Sequence, residues 1–583
     1  MKTPASYPLR SKLIPIAPNA FHRSCRLGSV VAGWVLLGLV KPAVATTSTH
    51  TSRVYNLRDF MVGSVSDTVA LQNAFDQVSA GSILDLGDAT DHFSTTAMIT
   101  RTTGSIELRG EASITYVGAG EIEAVIKVND CSDVSLSGPF VLDGGGNARH
   151  CLLVQSSTVA IQHVQIDRVS VKNSKVDPNL WYGGITVYAS EGQASTHRPK
   201  NIKITNTVSE NCGTHGELVA YCDNVTFSGN YIKSCRNHGF EAVNCSNVTI
   251  TGNNVDSAGI SALGVGTNVV GFEIAGNHVI NCGGDGSITV EHNSVNGSVH
   301  HNVIANCNTS GINISFGSPA AFPCDTVRNV SVHHNVVSQK AGISGYAGCN
   351  YYASPSAKGY GVKIDDNSFG GFDRGVDYAY GDHGSCSKNL VMMPSGSPVF
   401  VTRGIFVKDV VFSGNVTPNT TSDHAFQIWS NAGNQSSFCR ITGNYAQQCG
   451  PTSNMCLVYI DGNQLGFEVT GNGTSGAYSY LYCSGAPSVI LSTNRGPLSY
   501  NPYVGVGVPI ICSGNENYAQ DFTRVGTAKE VAGTAIPATG TWQAGDRCRR
   551  VPAVIGQPKG WICTTGGTPG AWVSEGTLFS AAP

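Results

Sequence analysis

The sequence carries little charge and has no run of either sign. Charged residues make up 13% of the 583 residues, and the formal net charge is −3. Without a basic patch there is no electrostatic reason to expect a nucleic-acid partner, and we predict none. The chain also lacks a CxxC pair and a histidine-rich tract, so no metal is predicted.

Helical periodicity is scarce as well. After residue 80 no stretch spaces its apolar residues convincingly at helical intervals. The Leu-x-x-Leu-x-Leu frame of leucine-rich repeats is also missing. In their place the chain has 69 glycines and many short segments that alternate apolar and polar residues. This alternation is the two-residue period of a strand, and it predicts an all-β chain with many turns.

A short alternating strand that runs into asparagine recurs from about residue 200 to residue 515. The copies end at Asn206, Asn230, Asn253, Asn277, Asn302, Asn335, Asn367, Asn415, Asn444, Asn472, Asn494 and Asn515. The first gaps are 24, 23, 24 and 25 residues. A fixed period in this range predicts stacked units, here the rungs of a parallel β-helix with a ladder of asparagine side chains. A β-propeller or sandwich is the alternative.

The first 45 residues have the features of an export signal. Basic residues precede an apolar stretch at 27–40, and Ala43-Val44-Ala45 is a small-x-small cleavage site. We therefore predict a signal peptide at 1–45 and a secreted, periplasmic or cell-surface protein. No stable membrane insertion is expected after cleavage, and an uncleaved anchor is the alternative.

A segment with helical spacing precedes the repeats. It begins at Asp67, which we expect to cap the helix, and a strand follows at 82–86. The segment resembles the "DTxAxQxAxD" opening of pectate-lyase-superfamily proteins and phage tailspikes at Asp67, Thr68, Ala70, Gln72, Ala74 and Asp76. The Gly-Asp-Gly that usually precedes it is absent. The resemblance implies a right-handed parallel β-helix. Its N-terminal cap and first rungs are expected at 46–100, and the main body of the β-helix at 101–527.

The last part of the chain, 528–583, departs from the repeat and is predicted to form a small β module. It resembles the tail modules of tailspikes and β-helix polysaccharide enzymes, and weakly the small chitin-binding modules. Trp561 is its candidate for stacking on sugar. A small core that needs large side chains is the alternative.

Cysteines recur at equivalent places in the repeat and are expected to be packed thiols rather than disulfides. They include Cys212, Cys235, Cys282 and Cys307 among 19 cysteines. Outside the repeat, Cys548 and Cys563 are predicted to form a disulfide.

Alignment of the rungs predicts a cluster of acids and histidines. Phe240 should point inward and Glu241 outward, and a bulge should leave Glu217 outside as well. The predicted catalytic set is His215, Glu217, His238, Glu241 and Asp285. A solvated face or a turn is the alternative interpretation.

Other residues near this cluster are predicted to bind substrate. Glu291, His292 and Arg236 lie close to the cluster in sequence. Longer segments between rungs, including 177–200, 346–360 and 382–403, are expected to be insertions that form loops at the binding face. The first two of these segments supply Trp181, Tyr182, Tyr351 and Tyr352.

Two carboxyl groups flanking a bond suit glycoside hydrolysis, which makes a hydrolase acting on a polysaccharide the preferred function. Glu241 with Asp285 suits an inverting spacing, and Glu217 with Glu241 a retaining one. The alternatives are a lyase or uronate C5-epimerase, and a non-catalytic glycan-binding surface or tail protein. No cofactor is predicted, except Ca²⁺ if the enzyme is a lyase. A monomer and a homotrimer both remain open. The motifs of polygalacturonase-type hydrolases occur only imperfectly and in the wrong order, so their catalytic roles are not carried over.

Overall fold

Three long parallel sheets run side by side along the chain, and each turn of backbone contributes one strand to each of them. The structure is a computed structural model that describes residues 53–177, 182–190, 196–315, 327–353, 359–392, 400–421, 423–430, 436–449, 455–461, 466–484, 488–496, 498, 503–504, 510–513, 515, 522–525 and 528–578. The predicted signal peptide and Trp181 lie outside the described residues. Within the described part of the chain, no helix has the length and apolar character needed to cross a membrane.

Sheet 1 has 25 strands. Its rung strands are Val54–Asn56, Ile83–Asp85, Ile106–Arg109, Val134–Ser137, Gln162–Asp167, Lys200–Thr205, Asp223–Ser228, Ser246–Thr251, Val270–Ala275, Val295–His300, Arg328–His333, Gly359–Tyr360, Lys363–Asp365, Gly381–Asp382, Ser385–Ser387, Val411–Ser413, Arg440–Thr442, Phe467–Thr470, Val489–Ser492 and Ile510–Ser513. The sheet continues with the C-terminal strands Phe522–Val525, Ala528–Gly533, Arg547–Arg550, Gly560–Thr565 and Ala571–Ser574.

Sheets 2 and 3 have 15 and 16 strands. The strands of sheet 2 are His92–Thr95, Ser113–Tyr116, Val141–Asp143, Ser170–Lys172, Val208–Glu210, Tyr231–Lys233, Asn254–Asp256, His278–Ile280, Val303–Cys307, Val336–Gln339, Ser368–Gly370, Leu390–Met392, Val416–Thr421, Tyr445–Cys449 and Gly473–Thr474. The strands of sheet 3 are Ile99–Arg101, Ile122–Asn129, Ala148–Ser156, Gly183–Ala189, His215–Ala220, His238–Val243, Ser261–Val265, Ile288–Glu291, Ile312–Ser315, Ala347–Tyr352, Arg374–Ala379, Phe400–Ile405, Phe426–Trp429, Val458–Asp461, Leu481–Ser484 and Tyr503–Val504.

Successive rungs stack in register, so equivalent residues form columns. Ile202 pairs with Val225, which pairs with Val248, and all three side chains are buried. Because alternate strand residues point to opposite faces, these columns fill the interior and the intervening residues form the outer faces. The core is therefore one continuous stack of apolar columns from Leu57 to Cys563.

An asparagine ladder marks the turn from sheet 1 to sheet 2, as the repeat predicted. Asn230 donates from its backbone N–H and from Nδ2 to Oδ1 of Asn253, at 2.9 and 3.0 Å. The ladder consists of Asn230, Asn253, Asn277, Asn302, Asn335, Asn367, Asn389, Asn415, Asn444, Asn472, Asn494 and Asn515. These bonds satisfy buried amide groups that would otherwise be costly to desolvate.

Two details of the predicted repeat are wrong. Asn206 is outside the ladder, because Thr207 takes the ladder position and donates to Asn230. Asn389 belongs to the ladder but was not predicted from the repeat. The gap from Asn367 to Asn415 therefore holds a rung of its own, and segment 382–403, predicted as an insertion, contributes strands to all three sheets.

Two helices cover the N-terminal end of the described chain, α1 (Leu57–Met61) and α2 (Asp67–Gln77). Ser66, rather than the predicted Asp67, caps α2, with its side chain accepting from the N–H of Val69. Sequence reasoning missed α1, which is only 5 residues long.

The side chains of α2 satisfy the open strand edges beneath it. Asp67 accepts from the N–H of Ser94, Thr68 from that of Thr96, and Gln72 both accepts from and donates to the backbone of Thr100. An exposed edge of unpaired backbone groups invites aggregation, so a cap that satisfies them is needed. The "DTxAxQ" pattern therefore has a direct physical role.

The C-terminal strands form a small sheet in which the large side chains are buried. Trp542 and Trp561 are 3% and 6% exposed, and Cys548 and Cys563 are fully buried free thiols. The predicted disulfide is therefore wrong, whereas the cysteines of the repeat are packed thiols as predicted. Burial of Trp561 corrects its predicted role in binding sugar, since its ring fills a small core.

Candidate active site on sheet 3

Four neighbouring strands of sheet 3 carry the predicted cluster: His215–Ala220, His238–Val243, Ser261–Val265 and Ile288–Glu291. Phe240 is fully buried, and Glu241 beside it lies on the outer face with a side chain 15% exposed. The alternation predicted for this rung is confirmed. Its outward side chains form the floor of the candidate site.

The two histidines of the cluster flank Glu241. Nε2 of His215 lies 2.8 Å from Oε2 of Glu241 and must donate, because a carboxylate only accepts. The rings of His215 and His238 stack with centroids 5.1 Å apart and an angle of 14°. Nδ1 of His238 contacts Oγ of Ser261 at 2.8 Å. Each imidazole is therefore held in one orientation against the carboxylate.

Glu241 leans across the next rung toward Gly266. A methyl group added at Gly266 would lie 2.9 Å from Oε1 of Glu241, so the absent side chain leaves room for the carboxylate. The strand before Gly266 pairs with that of Glu291 in the register Val265 to Val290. Gly266 and Glu291 therefore stand on adjacent rungs, roughly 4.8 Å apart at the backbone.

The two carboxyl groups differ in acidity for identifiable reasons. Burial and the nearby charges of Glu241 and Asp285 raise the pKa of Glu291 to about 8. Burial also favours the neutral form of Glu241, but His238 and the hydrogen bond from His215 outweigh it and lower that pKa to about 2. Burial lowers the pKa of His238, against the attraction of Glu241. Near neutral pH the site thus holds one protonated and one ionised carboxyl group.

The exposed carboxyl of Asp285 and the side chain of His292 complete the cluster. Asp285 is exposed at the turn before strand Ile288–Glu291, and its charge acts on both His238 and Glu291. Nε2 of His292 lies 3.7 Å from Oε2 of Glu291. The structure therefore brings together His215, His238, Glu241, Asp285, Glu291 and His292, which are far apart in sequence.

Glu217 does not belong to this outer cluster, and the predicted bulge is wrong. Its strand pairs continuously with the next, Glu217 with Phe240 and Leu218 with Glu241. Glu217 is fully buried inside the coil, where Oε1 accepts from Thr207 and Ser209 at 2.5 and 2.9 Å. Oε2 has no hydrogen-bond partner among the described residues. Burial raises the pKa of Glu217 to about 7.

Only some of the predicted substrate-binding residues are accessible. Arg236 is exposed near the cluster, and Tyr352 is 46% exposed. Tyr182 is 7% exposed, with its ring 5.9 Å from that of His150. Tyr351 is fully buried, because it is the inward residue of strand Ala347–Tyr352 rather than part of an insertion.

Register extends the site along the outer face of sheet 3 as two columns. The Glu241 column continues through Gly264, Thr289, Asn313, Asn350, Asp377, Arg403 and Gln427. The Glu291 column continues through Ser315, Tyr352, Ala379, Ile405 and Trp429. Trp429, 45% exposed, was not predicted, and the pairing of Ile405 with Trp429 is what places it in this column. A polar column thus runs beside one that holds exposed aromatic rings.

Among the residues that the structure describes, two groups of side chains hold their ligand atoms close enough for a cation. The ligand atoms of His215, His238 and Glu241 lie within 4.8 Å of one another, as do those of Asp382, His383 and Asp409. In the first group, the hydrogen bond from His215 to Glu241 engages two of these atoms. In the second, Nδ1 of His383 lies 2.5 Å from Oδ1 of Asp382.

Comparisons with known proteins agree with this architecture. Residues 113–358 match the family model for the right handed beta helix region. No curated protein matches the chain. Among solved structures, the mannuronan C-5 epimerase A-module of Azotobacter vinelandii is 17% identical, with a TM-score of 0.44 over 62% of this chain and 99% of that one.

Two other solved structures were matched as well. The DFA-IIIase of Arthrobacter chlorophenolicus A6 without its lid is 13% identical, with a TM-score of 0.35 over 66% of this chain and 94% of that one. Tailspike protein 2 of the Escherichia coli O157:H7 bacteriophage CAB120 is 16% identical, with a TM-score of 0.35 over 62% of this chain and 43% of that one. The chain is a right-handed parallel β-helix protein, as the sequence predicted.

Proposed function

We propose that this protein hydrolyses glycosidic bonds in a polysaccharide that lies along the outer face of sheet 3. The observation that carries the proposal is the pair of carboxyl groups at one point of this face, Glu241 leaning over Gly266 toward the rung of Glu291. Glycoside hydrolysis uses one carboxyl group to protonate the leaving oxygen and another to activate water or attack carbon.

The environment of each group suggests its role. Glu291 keeps its proton near neutral pH and is the proposed general acid, because burial and two neighbouring carboxylates disfavour its ionised form. Glu241, ionised and held by His215, is the proposed base or nucleophile. Environments that push two carboxyl pKa values apart are the usual basis for such a division of labour. His238 and Asp285 tune the pair by their charges.

The two columns that extend from the pair suit a sugar chain. Hydroxyl groups would bond to the partly exposed side chains of Asn350 and Gln427 in the Glu241 column. Sugar rings would stack on Tyr352 and Trp429, which stand two and five rungs beyond Glu291, or roughly 10 and 24 Å. Such a face favours a polymer over a small substrate.

A lyase or C5-epimerase is the second candidate, and the charges of this face disfavour it. Both reactions need a cation that neutralises the uronate carboxylate. Arg374 and Arg403 both pair with Asp377 at 3.0 Å, and the register places them five and six rungs from Glu241, roughly 24 and 29 Å, too far to neutralise a uronate at the carboxyl pair. Hydrolysis is therefore preferred, and no metal or other cofactor is required for it.

The test is a panel of polysaccharides incubated with the mature protein and with Glu241→Gln. Reducing ends and absorbance near 235 nm, which reports unsaturated uronate, are measured together. We expect reducing ends without absorbance from the wild type and none from Glu241→Gln. Glu468→Gln, on the outer face of sheet 1, is the matched control and should keep full activity.

Two results would contradict the proposal. Retained turnover in Glu241→Gln would remove this residue from the reaction, and absorbance that rises with the reducing ends would identify a lyase. A wild type that binds glycans but releases no reducing ends from any of them would instead support a C5-epimerase or a glycan-binding protein.

A further inference from the structure

Two pairs of adjacent histidines occupy the turn from sheet 1 to sheet 2 on successive rungs. In the pair His300–His301 the two Nδ1 atoms lie 2.9 Å apart, and in the pair His333–His334 they also lie 2.9 Å apart. The rings stack across the rungs, His300 on His333 at 4.9 Å and 3°, and His301 on His334 at 5.0 Å and 2°. Four imidazoles thus form a regular block on the surface.

The backbone holds the second histidine of each pair in an unfavourable conformation. His301 and His334 both have φ of 55°, in the left-handed region that side chains other than Asn, Asp and His rarely adopt. The equivalent residues on other rungs are mostly glycines with positive φ, among them Gly252, Gly276, Gly414, Gly443 and Gly471. The ladder residues Asn302 and Asn335 follow directly and fix both turns. Each pair is therefore preorganised by its rung.

A carboxylate sets the tautomer of one ring. Oε1 of Glu273 lies 3.1 Å from Nε2 of His300. Because a carboxylate can only accept, Nε2 carries the proton, and the neutral ring presents the lone pair of Nδ1 toward His301. A carboxylate that orients the far nitrogen of an imidazole is the usual outer partner of a metal-binding histidine.

We propose that these histidine pairs bind a divalent transition-metal ion that accepts ligands at right angles, copper(II) or nickel(II). Imidazole nitrogens bind first-row metals at about 2.0–2.1 Å. Two such ligands at 90° stand about 2.9 Å apart, whereas tetrahedral ligands would stand about 3.3 Å apart. The two Nδ1 atoms of each pair are joined by a hydrogen bond of 2.9 Å, so they already stand at the separation that the first geometry needs. On binding, His301 moves its proton from Nδ1 to Nε2, and both Nδ1 lone pairs face the ion.

The next rung carries an acidic residue at the equivalent position of the turn. The N–H of His334 donates to the backbone oxygen of Asp366, which places that residue one rung away. Nζ of Lys388 lies 3.9 Å from Oδ2 of Asp366, so this carboxylate is not assigned as a ligand and the remaining positions of the ion are left to solvent. The site is distinct from the cluster around Glu241, since it lies at the edge of sheet 1 rather than on sheet 3.

The test uses untagged mature protein and copper(II). Binding is measured by calorimetry, and the ligands by electron paramagnetic resonance. The variant is His301→Asn with His334→Asn, because asparagine also tolerates positive φ and should preserve the turns. The control is His163→Asn with His278→Asn, which removes two exposed histidines elsewhere, one of them at φ of 56°.

We expect the wild type and the control to bind copper with resolved nitrogen coupling, and the variant to bind at least about tenfold more weakly without it. An unchanged spectrum and affinity in the His301/His334 variant would overturn the proposal. So would copper binding that disappears in Glu241→Gln instead, since the ion would then occupy the sheet 3 cluster. Melting temperatures without metal check that every variant is folded.

Discussion

Glu217 and Glu241 lie on neighbouring rungs of sheet 3, and the difference between them shows how strongly the face of a strand governs chemistry. Glu217 pairs with Phe240 in an inward column, and Glu241 pairs with Leu218 in the adjacent outward one. A displacement of one residue thus exchanges core for solvent. Burial raises the pKa of Glu217 to about 7, whereas the histidines lower that of Glu241 to about 2.

The comparison separates stability from activity. Glu217 is fully buried and accepts from Thr207 and Ser209 inside the coil, so it cannot reach a substrate on the outer face. Glu241 lies on the outer face of sheet 3 and contributes to the proposed reaction. A change at Glu217 should therefore alter the free energy of unfolding, and a change at Glu241 should alter the catalytic rate.

The largest effect is expected on the outer face, at Glu291. Removing a general acid typically costs about 10²–10⁴ in rate, so Glu291→Gln should lose activity on polysaccharide by that factor. An aryl glycoside whose leaving group needs no proton should restore much of the rate. The measurement is the ratio of kcat on the two substrates. An equal loss on both would contradict the role of acid.

The carboxyl group of Glu291 should also determine how the activity of the wild type depends on pH. Because the pKa of Glu291 is raised to about 8, activity should fall as pH rises through that value and the acid loses its proton. The falling limb should be absent from the residual activity of Glu291→Gln on the aryl glycoside. A limb that persists there would belong to another group.

The next effect concerns stability and belongs to the interior. The folded pKa of Glu217, about 7, exceeds its ordinary value of 4.5, so the folded state holds this proton more tightly. The protonated carboxyl of Glu217 contributes about 3 kcal/mol to the free energy of unfolding. This contribution is complete below pH 4.5 and is lost as the pH rises to 7. Glu217→Gln keeps an acceptor for Thr207 and Ser209 but cannot ionise.

Denaturant unfolding at pH 4 and at pH 8 measures this contribution. The free energy of unfolding of Glu217→Gln, relative to the wild type, should rise by about 3 kcal/mol between the two values. Specific activity of the variant should be unchanged, and Glu241→Gln should show no comparable shift. Parallel pH curves for Glu217→Gln and the wild type would contradict the buried proton.

How far the sequence could reach follows from this same comparison. The rungs, the asparagine ladder and the outward direction of Glu241 follow from local periodicity, which a single strand displays by itself. Local periodicity does not reveal that Glu217 points inward, because a polar residue at an inward position of a strand resembles a shift of register. The pairing of Leu218 with Glu241 settles this only once neighbouring strands are seen.

Two other residues show the same limit. Trp429 enters the site because its strand pairs with the preceding one, which sets it beside Ile405 in the Glu291 column. Gly266 contributes by having no side chain, a signal that appears only when the carboxylate of Glu241 is seen above it. Both depend on contacts between rungs, which local pattern does not carry.

A smaller effect is expected at Gly266, where the outer carboxylate can be moved without being removed. Gly266→Ala would place a methyl group 2.9 Å from Oε1 of Glu241, and this flexible end must shift. Displacement by about 1 Å can cost about 10²-fold in rate. Gly370→Ala, whose nearest neighbour would be 3.9 Å away, is the control. Full activity in Gly266→Ala would mean that Glu241 tolerates displacement.

The smallest effect belongs to the aromatic rings farther along the outer face. Tyr352→Ala and Trp429→Ala each remove an exposed ring from the Glu291 column, and stacking on such a ring contributes on the order of 1 kcal/mol. KM for long chains should therefore rise about fivefold in each variant, with kcat little changed. Short oligosaccharides that end before Trp429 should respond to Tyr352→Ala alone. Equal responses of short and long chains to Trp429→Ala would show that the substrate does not follow this column.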